Sequence, residues 1–337
     1  MKKILFICGS LNQTSMMHGI ASHLNERYDC WFTPYYADGY LNYLTEKGLL
    51  DFTVLGGKFR GDTENYLKSN NLKIDFRGVK NEYDLILTCS DLIIQKNIKG
   101  KKVILVQEGM TDPKNIFYYT AKYLGLPRYL ASTSTTGLSG KFDFFCVASE
   151  GYKKMFVKNG IDPKKIKVTG IPNFDNCKKY FENNFPEKDY VLVCTSDARE
   201  TFKYENRKKF ILKALKIANG RQLIFKLHPN ENRKRAISEI KKYAPGSLVF
   251  SEGNTSEMIA NCRTLITKYS SVVYVGLALE KEVHSYFNLN RLKSLLPKQN
   301  GGTSSANIAR ICEYHINGLM DEQFNIDGKF IVPVPEF

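Results

Sequence analysis

The sequence predicts an α/β protein made of two doubly wound domains, and three features lead to this prediction. Short apolar runs, typical of buried strands, alternate with helix-like stretches along most of the chain. The alternation stops at a polar, aromatic stretch over residues 173–188 and then resumes. The 337 residues also suffice for two hydrophobic cores. We therefore predict domains over 1–172 and 189–337, joined by a linker over 173–188.

The first domain begins with the apolar run Lys3–Cys8, which predicts a strand, followed by a Gly-Ser turn and a helix over 18–24. Ser149 and Gly160 bracket a further predicted helix, and the polar stretch 130–141 is predicted to be a loop. The other predicted strands of this domain cover residues 31–33, 85–89, 102–106, 144–148 and 166–169. No GxGxxG pattern follows the first strand, so the dinucleotide-binding fingerprint is absent.

The second domain repeats the alternation without a detectable sequence repeat. Its predicted strands cover residues 190–195, 223–225, 248–250, 265–267 and 283–286, and its predicted helices cover 210–218, 233–243, 255–260 and 272–279. A glycine-rich turn and a helix over 300–312 follow, and residues 328–337 are predicted to be an extended tail.

Composition narrows the class of protein. Eight cysteines without a CxxC pair, several of them in apolar runs, predict reduced, buried thiols and a cytoplasmic protein. No run approaches the roughly 18 apolar residues of a membrane span. The N-terminal apolar run is too short for a signal peptide and is read as a strand.

The net charge of +15 suits nucleic acid, an anionic membrane surface or a phosphorylated substrate. No nucleic-acid-binding motif accompanies the basic residues, which argues against a nucleic-acid partner. Solvated helix faces would explain the same charge. We favour peripheral attraction to the inner face of the membrane.

Polar residues follow two strands of the second domain. Lys226, His228 and Pro229 come after the strand over 223–225, and Ser270 and Ser271 come after the strand over 265–267. Because a predicted helix follows the serines, their backbone N–H groups would suit a phosphate. A strand-end histidine and a helix N-cap are the simpler alternatives.

Two further residues of the second domain are weaker candidates for the same ligand. Arg199 follows the domain's first strand. Glu257 lies just inside a helix start, where it would bind a ribose or only favour the helix dipole.

In the first domain, Glu108 lies just past the strand over 102–106, and Gly109 permits a tight turn there. Ligands of open α/β sheets bind at the carboxyl ends of strands, so Glu108 is the candidate general base. Asp112 is a second carboxylate, although Asp-Pro is more typical of a turn. His18, near the first strand, is a candidate ligand contact or a helix-surface residue.

Several segments resemble known families. VTGIPNFD, which ends at Asp175, resembles UDP-N-acetylglucosamine 2-epimerases. FKLHP, ending at Pro229, together with LITKYSS, ending at Ser271, resembles CDP-glycerol glycerophosphotransferases and the bacterial sialyl and Kdo transferases that use CMP-sugars. The last two positions of Gln107-Glu108-Gly109 match the acidic motif that supplies the base in those transferases. The resemblance implies a GT-B fold, with two Rossmann-like domains facing across a cleft.

No carboxylate pair of the DxD type stands where a magnesium ion would need it, so we predict a metal-independent transfer that needs no cofactor. A sugar would pass from a nucleotide-activated donor, foremost a CMP-sugar, to a hydroxyl of a glycan or lipid-linked glycan acceptor. Glu108 would take the acceptor proton, and His228 would assist the leaving phosphate. Lys226 and the serine pair would stabilise the charge of that phosphate.

The chain departs from two of these patterns. The epimerases carry a Gly-Gly…Glu-Glu segment where this chain has YSSVVYVGLALEKE, and the glycerophosphotransferases carry His-Gly where it has Glu108-Gly109 and Asp where it has Lys268. Four alternatives stay open: a polyol-phosphate transferase, a UDP-sugar transferase, an epimerase and a non-catalytic nucleotide-sugar-binding protein.

Overall fold

The computed structural model describes residues 1–200 and 204–318, and the chain divides into two compact units. The first unit is Met1–Asp175 together with the segment that begins at Asn300, and the second is Asn176–Gln299. This division differs from the predicted boundaries, because residues 173–175 and the C-terminal helix belong to the first unit. The predicted tail over 328–337 lies outside the described residues.

The first unit contains a six-stranded, all-parallel sheet in the order β2-β1-β3-β4-β5-β6. The strands are β1 Lys3–Cys8, β2 Asp29–Pro34, β3 Leu85–Thr88, β4 Val103–Val106, β5 Phe144–Val147 and β6 Ile166–Val168. The helices are α1 Leu11–Ala21, α2 Gly39–Glu46, α3 Gly57–Ser69, α4 Ile116–Leu124, α5 Glu150–Asn159 and α11 Ser304–Ile316.

Side-chain caps set where two of these helices begin. Ser10 and Ser149 accept hydrogen bonds from the N–H groups of Gln13 and Tyr152, which fixes the starts of α1 and α5. The prediction that the first helix covers 18–24 is therefore wrong, since Ser10 starts it at Leu11. The predicted loop over 130–141 overlaps a stretch of 3₁₀ turns over residues 128–135.

The C-terminal helix is held to the first unit by specific polar contacts. The Asp175 carboxylate accepts the N–H of Ser304 at 2.8 Å, and Lys2 Nζ donates to the carbonyl of Ile316 at 2.9 Å. A terminal helix pattern carries no information about which sheet it will cover, and the prediction therefore placed it with its neighbours in sequence.

The second unit contains a five-stranded, all-parallel sheet in the order β11-β10-β7-β8-β9. Its strands are β7 Val191–Cys194, β8 Leu223–Lys226, β9 Leu248–Phe250, β10 Thr264–Ile266 and β11 Glu282–His284. Its helices are α6 Arg207–Ala218, α7 Arg233–Tyr243, α8 Thr255–Asn261, α9 Val273–Ala278 and α10 Leu289–Leu295. Apolar residues of α6 and α7 pack on β7 and β8, including Phe210, Ile211, Ala236, Ile240, Val191 and Phe225.

The order of the strands shows where each sheet changes direction. The chain turns back between β1 and β3 in the first sheet, and between β7 and β10 in the second. Both sheets are therefore doubly wound, which confirms the predicted fold class of two Rossmann-like units. Ligands of such sheets bind outside the carboxyl ends of the strands near the turning point.

The prediction of buried, reduced cysteines agrees with this fold. All eight cysteines are buried and free. Within residues 1–200 and 204–318, every helix is too short or too polar to cross a membrane.

Candidate functional site

Glu108 lies at the carboxyl edge of the first sheet and is held there by its neighbours. The buried Gln107 side chain donates to the carbonyl of Gly109 at 2.7 Å and accepts the N–H of Ala148 at 2.9 Å, which fixes the turn after β4. Asn173 Nδ2 also donates to the backbone carbonyl of Glu108 at 3.2 Å. These contacts hold the backbone at Glu108 in place, and the Glu108 side chain is half-buried.

Both carboxylate oxygens of Glu108 accept a hydrogen bond from the segment after β1. Ser10 Oγ donates to Oε1 at 3.0 Å, and Gln13 Nε2 donates to Oε2 at 2.5 Å. Gly9 makes this possible, because a Cβ at that position would lie 2.0 Å from the Gln13 amide oxygen. We call Ser10, Gln13 and Glu108 the Glu108 clamp.

The clamp contains no cation. Among the ion pairs of the described residues, none includes Glu108. The neutral donors orient the carboxylate but do not cancel its negative charge. Burial raises the pKa of the Cys89 thiol, and the charge of Glu108 raises it further. A carboxylate held in this way can accept a proton from a hydroxyl group.

The other candidates of the first unit lie apart from this carboxylate or serve the backbone. His18 is eight residues beyond Ser10 on α1, about 12 Å along the helix axis. Its Nδ1 lies 3.1 Å from the Tyr66 hydroxyl, and it lines a separate cavity of about 510 Å³. Asp112 is exposed, and its carboxylate accepts from Thr133 Oγ1 at 2.8 Å, as a turn residue would.

In the second unit, His228 lies two residues after the end of β8, and one of its ring nitrogens accepts a hydrogen bond. Thr195 Oγ1 accepts the His228 N–H at 3.0 Å, and the His228 Nδ1 accepts the N–H of Asn230 at 3.3 Å. In the neutral ring the proton is therefore on Nε2, where it can be donated. The side chain is 36% exposed, and the Asp197 carboxylate lies 3.7 Å from Nδ1. Pro229 is exposed beside it.

Lys226 is buried, which differs from the predicted role at a phosphate. Its Nζ donates to the carbonyls of Leu227 at 3.3 Å and Ser251 at 3.2 Å. Burial lowers the pKa of this ammonium group. Lys226 is the last residue of β8, whereas His228, two positions on, lies in the loop after the strand.

The Lys226 contact holds the edge of a cavity of about 810 Å³ at the carboxyl end of β9. Phe185, Pro186, Phe250 and Met258 provide apolar walls, and Glu257 lies at its rim. Asn254 Nδ2 donates to the Glu257 carboxylate at 2.8 Å. This is a space in which a flat, polar-edged ring could bind, with a carboxylate available for hydroxyl groups.

Ser270 and Ser271 follow β10 and precede the helix. Ser270 Oγ accepts the N–H of Val272 at 3.4 Å, and α9 begins only at Val273 and has six residues. The serines are therefore two to three positions before the helix rather than at its first turn. Because β7 lies between β8 and β10, the two predicted strand ends are about 10 Å apart and not adjacent.

A buried network of charges occupies the same edge of the second sheet, and the sequence analysis missed it. Glu231, with a fully buried side chain, pairs with Arg207, and Thr195 Oγ1 donates to its other oxygen at 2.5 Å. Glu205, with 1% of its side chain exposed, pairs with Arg207 at 2.7 Å and Lys268 at 2.7 Å. Glu205 and Arg207 are two residues apart, but Thr195, Glu231 and Lys268 come from other loops, so no short sequence motif contains the network.

Arg199 belongs to this network. Its guanidinium makes two hydrogen bonds of 2.8 Å to the Glu239 carboxylate and lies 3.5 Å from Glu205. Its prediction as a donor-binding residue is not supported by this placement, because the cation is already paired with carboxylates.

The two central carboxylates differ in pKa. Burial would raise the pKa of Glu205, but the Lys268 hydrogen bond and the charge of Arg207 outweigh it and lower this pKa. Burial also raises the pKa of Glu231, and there the Thr195 hydrogen bond and Arg207 offset the increase only in part.

Within the described residues, no group of three or more His, Cys, Asp or Glu side chains could hold a metal ion. The predicted independence from metals and cofactors stays a prediction.

Comparisons with known proteins place the fold. No protein-family model matches the chain, and no curated protein matches it by sequence. The S. aureus MnaA–UDP structure superposes with a TM-score of 0.57 at 12% identity, covering 96% of this chain and 98% of that one. The UDP-GlcNAc 2-epimerase from Neisseria meningitidis bound to UDP-GlcNAc gives 0.54 at 12%, covering 92% and 99%.

A third solved structure, the wall teichoic acid polymerase TagF soaked with CDPG, gives a TM-score of 0.52 at 11% identity, covering 95% of this chain and 90% of that chain. These likenesses extend over nearly the whole chain. They show that this chain shares the fold of these proteins.

Proposed function

We propose that this protein is an enzyme that acts on a nucleotide-activated sugar and transfers the sugar to a hydroxyl group of a glycan or lipid-linked glycan acceptor. The observation that carries the proposal is the Glu108 clamp. A carboxylate that is fixed at a sheet edge by two neutral donors, with no cation beside it, is suited to accept a proton. A purely structural carboxylate is more often paired with a cation or used as a cap.

In the proposed reaction the first unit supplies the base and the second unit binds the nucleotide. Glu108 takes the proton of the acceptor hydroxyl as the hydroxyl oxygen attacks the anomeric carbon of the donor sugar. The bond from that carbon to the phosphate oxygen breaks, the phosphate leaves as an anion, and His228 donates a hydrogen bond from Nε2 to it. Ser270 and Ser271, whose strand end is about 10 Å from that of His228, offer their hydroxyl groups to the same phosphate from the other side of β7.

The cavity beside β9 is the proposed nucleoside site. Phe185 and Phe250 offer aromatic contact for a base, and Glu257 is available to accept hydrogen bonds from a ribose. Lys226 acts through its two carbonyl contacts, which hold the loop at the cavity's edge. We favour a CMP-sugar because of the FKLHP and LITKYSS segments and the Glu108-Gly109 pair.

A second candidate is epimerisation of a UDP-sugar. It is favoured by the solved structures of UDP-N-acetylglucosamine 2-epimerases that share the fold over nearly the whole chain. An epimerase needs no acceptor, so the nucleotide that binds and the need for an acceptor separate the two candidates.

The test is thermal stabilisation by CMP, CDP, UDP and GDP. A ligand that binds only the folded state raises the unfolding midpoint as its concentration exceeds Kd. We expect a shift with CMP that is lost in His228→Ala. His284→Ala is a matched control, because that side chain also ends a strand and is also 36% exposed.

A shift with UDP alone would favour the epimerase or a UDP-sugar transferase. No shift with any of the four nucleotides would remove the proposal.

A further inference from the structure

The segment after the Glu108 clamp forms an exposed apolar surface. In α4 only Tyr118 is buried, whereas Tyr123 is 70% and Leu124 is 75% exposed. The helix packs against the 3₁₀ turns over 128–135, so exposed side chains from both are neighbours. The exposed members of this α4 surface are Ile116, Phe117, Tyr119, Tyr123, Leu124, Leu126, Tyr129 and Leu130.

The charge of the α4 surface is mainly positive, although the exposed Asp112 carboxylate accepts a hydrogen bond from Thr133 of the 3₁₀ turns. Residues 114–141 contain no Asp or Glu, but they contain Lys114, Lys122, Arg128 and Lys141. The three lysines are exposed. Lys114 Nζ lies 4.7 Å from the Tyr118 ring centre, which keeps one cation over the aromatic part of the helix. An apolar and cationic surface is complementary to an anionic layer with an apolar interior.

A second copy of the chain fits this surface poorly. A two-fold contact places the same patch on both subunits. The excess cations of the two patches would then meet each other, which opposes association.

The helix is also unable to span a bilayer. Nine residues extend about 14 Å, whereas the hydrocarbon core is about 30 Å thick. It can therefore only lie at the interface. Tyrosine rings prefer the headgroup level, and isoleucine, leucine and phenylalanine prefer the layer beneath.

We propose that the α4 surface docks the protein on an anionic lipid surface. Ile116, Phe117 and Leu124 enter the acyl boundary, Tyr119 and Tyr123 lie among the headgroups, and Lys114 and Lys141 meet the lipid phosphates. This proposal rests on a surface outside the nucleotide site and does not depend on the proposed reaction.

The experiment is flotation of the full-length protein with two kinds of vesicle, phosphatidylcholine alone and phosphatidylcholine with phosphatidylglycerol. We expect binding to the anionic vesicles, weakened by salt because screening shortens from about 10 Å at 0.1 M to about 3 Å at 1 M. The triple variant Phe117→Ser/Tyr123→Ser/Leu124→Ser should lose affinity for the anionic vesicles by a factor of about ten or more.

The control variant is Tyr40→Ser/Phe52→Ser. These aromatic side chains are 72% and 77% exposed, but the acids Asp38, Glu46 and Asp51 lie in the same stretch. This variant should bind vesicles like the wild type. The single changes Leu124→Ser and Lys114→Glu each test the surface if the triple variant does not fold, as judged by its thermal midpoint.

Three outcomes of the vesicle experiment would overturn the proposal. They are no binding of the wild type to anionic vesicles, equal binding of both vesicle kinds, and vesicle binding unchanged by the α4 variants. A wild-type dimer that becomes monomeric in the triple variant, by light scattering, would also overturn it and assign the surface to a second copy.

Discussion

The carboxyl edges of the two sheets use carboxylates in opposite ways. In the first unit, Glu108 is half-buried and receives only neutral donors, Ser10 and Gln13. In the second unit, Glu205 and Glu231 have almost fully buried side chains and are paired with cations, chiefly Arg207. The sheets share their architecture, so the difference comes from the loops.

The difference separates reactive groups from structural ones. A buried pair of opposite charges cancels itself and needs its full geometry, because either partner alone would be costly to bury. A carboxylate with neutral donors keeps its charge for a substrate. By the same reasoning, His228, which is partly exposed and has Nε2 available, is a better candidate for chemistry than Arg199.

The largest expected effect is a loss of turnover when Glu108, at the carboxyl edge of the first sheet, is changed. Glu108→Gln keeps the volume of the side chain but removes the base, so we expect turnover to fall about 10²–10⁴-fold. Binding of the nucleotide, measured by thermal stabilisation, should not change. Turnover is measured as nucleotide release from the sugar conjugate of whichever nucleotide stabilises the protein.

The control for this variant is Glu150→Gln, an exposed carboxylate that follows the neighbouring strand β5. It should keep wild-type turnover. Full turnover in Glu108→Gln would show that the clamp is structural and that the two edges do not differ in the way described.

The next largest effect is a loss of stability when the buried ion pairs at the carboxyl edge of the second sheet are broken. Arg207→Leu leaves Glu231 and Glu205 without their shared cation, and we expect the free energy of unfolding to fall by about 3–5 kcal/mol. Arg233→Leu is the control, since Arg233 and Glu252 form a pair that is 52% and 80% exposed. It should cost at most about 1 kcal/mol.

Urea unfolding at neutral pH measures both variants. If both variants lost a similar free energy of unfolding, the buried network would contribute no more to stability than a surface ion pair.

The smallest effect is a dependence on pH. The pKa of Glu205 is lowered in the folded protein, so its contribution to stability is present above the unfolded value of about 4.3 and is lost as the pH falls below it. The pKa of Glu231 is raised, so its contribution has the opposite sign. The stability of Glu205→Gln should therefore fall less steeply than that of the wild type as the pH is lowered from neutral to acidic.

Thermal midpoints across that range measure this slope, with the exposed Glu252→Gln as control. An acid slope of Glu205→Gln equal to that of the wild type would assign the acid sensitivity to other carboxylates.

The sequence by itself determined the strands, the fold class and the position of Glu108. Buried strands of parallel sheets are continuous apolar runs, so the predicted strands agree with β1–β11 within two residues. A residue directly after such a run must lie at the carboxyl edge, which placed Glu108 and His228 there. The helix over 233–243 was also predicted correctly, because its apolar positions repeat with the helical period.

Only the tertiary structure decided what each side chain touches. Lys226 and Arg199 carry charges that suit a phosphate, but one is buried on backbone carbonyls and the other is paired with Glu239. Ser10 and Gln13 lie far from Glu108 in sequence, and the place of α11 in the first unit depends on contacts over a similar separation. Periodicity records which residues face the core, whereas such pairings arise from the order of strands in the sheet and the course of the loops.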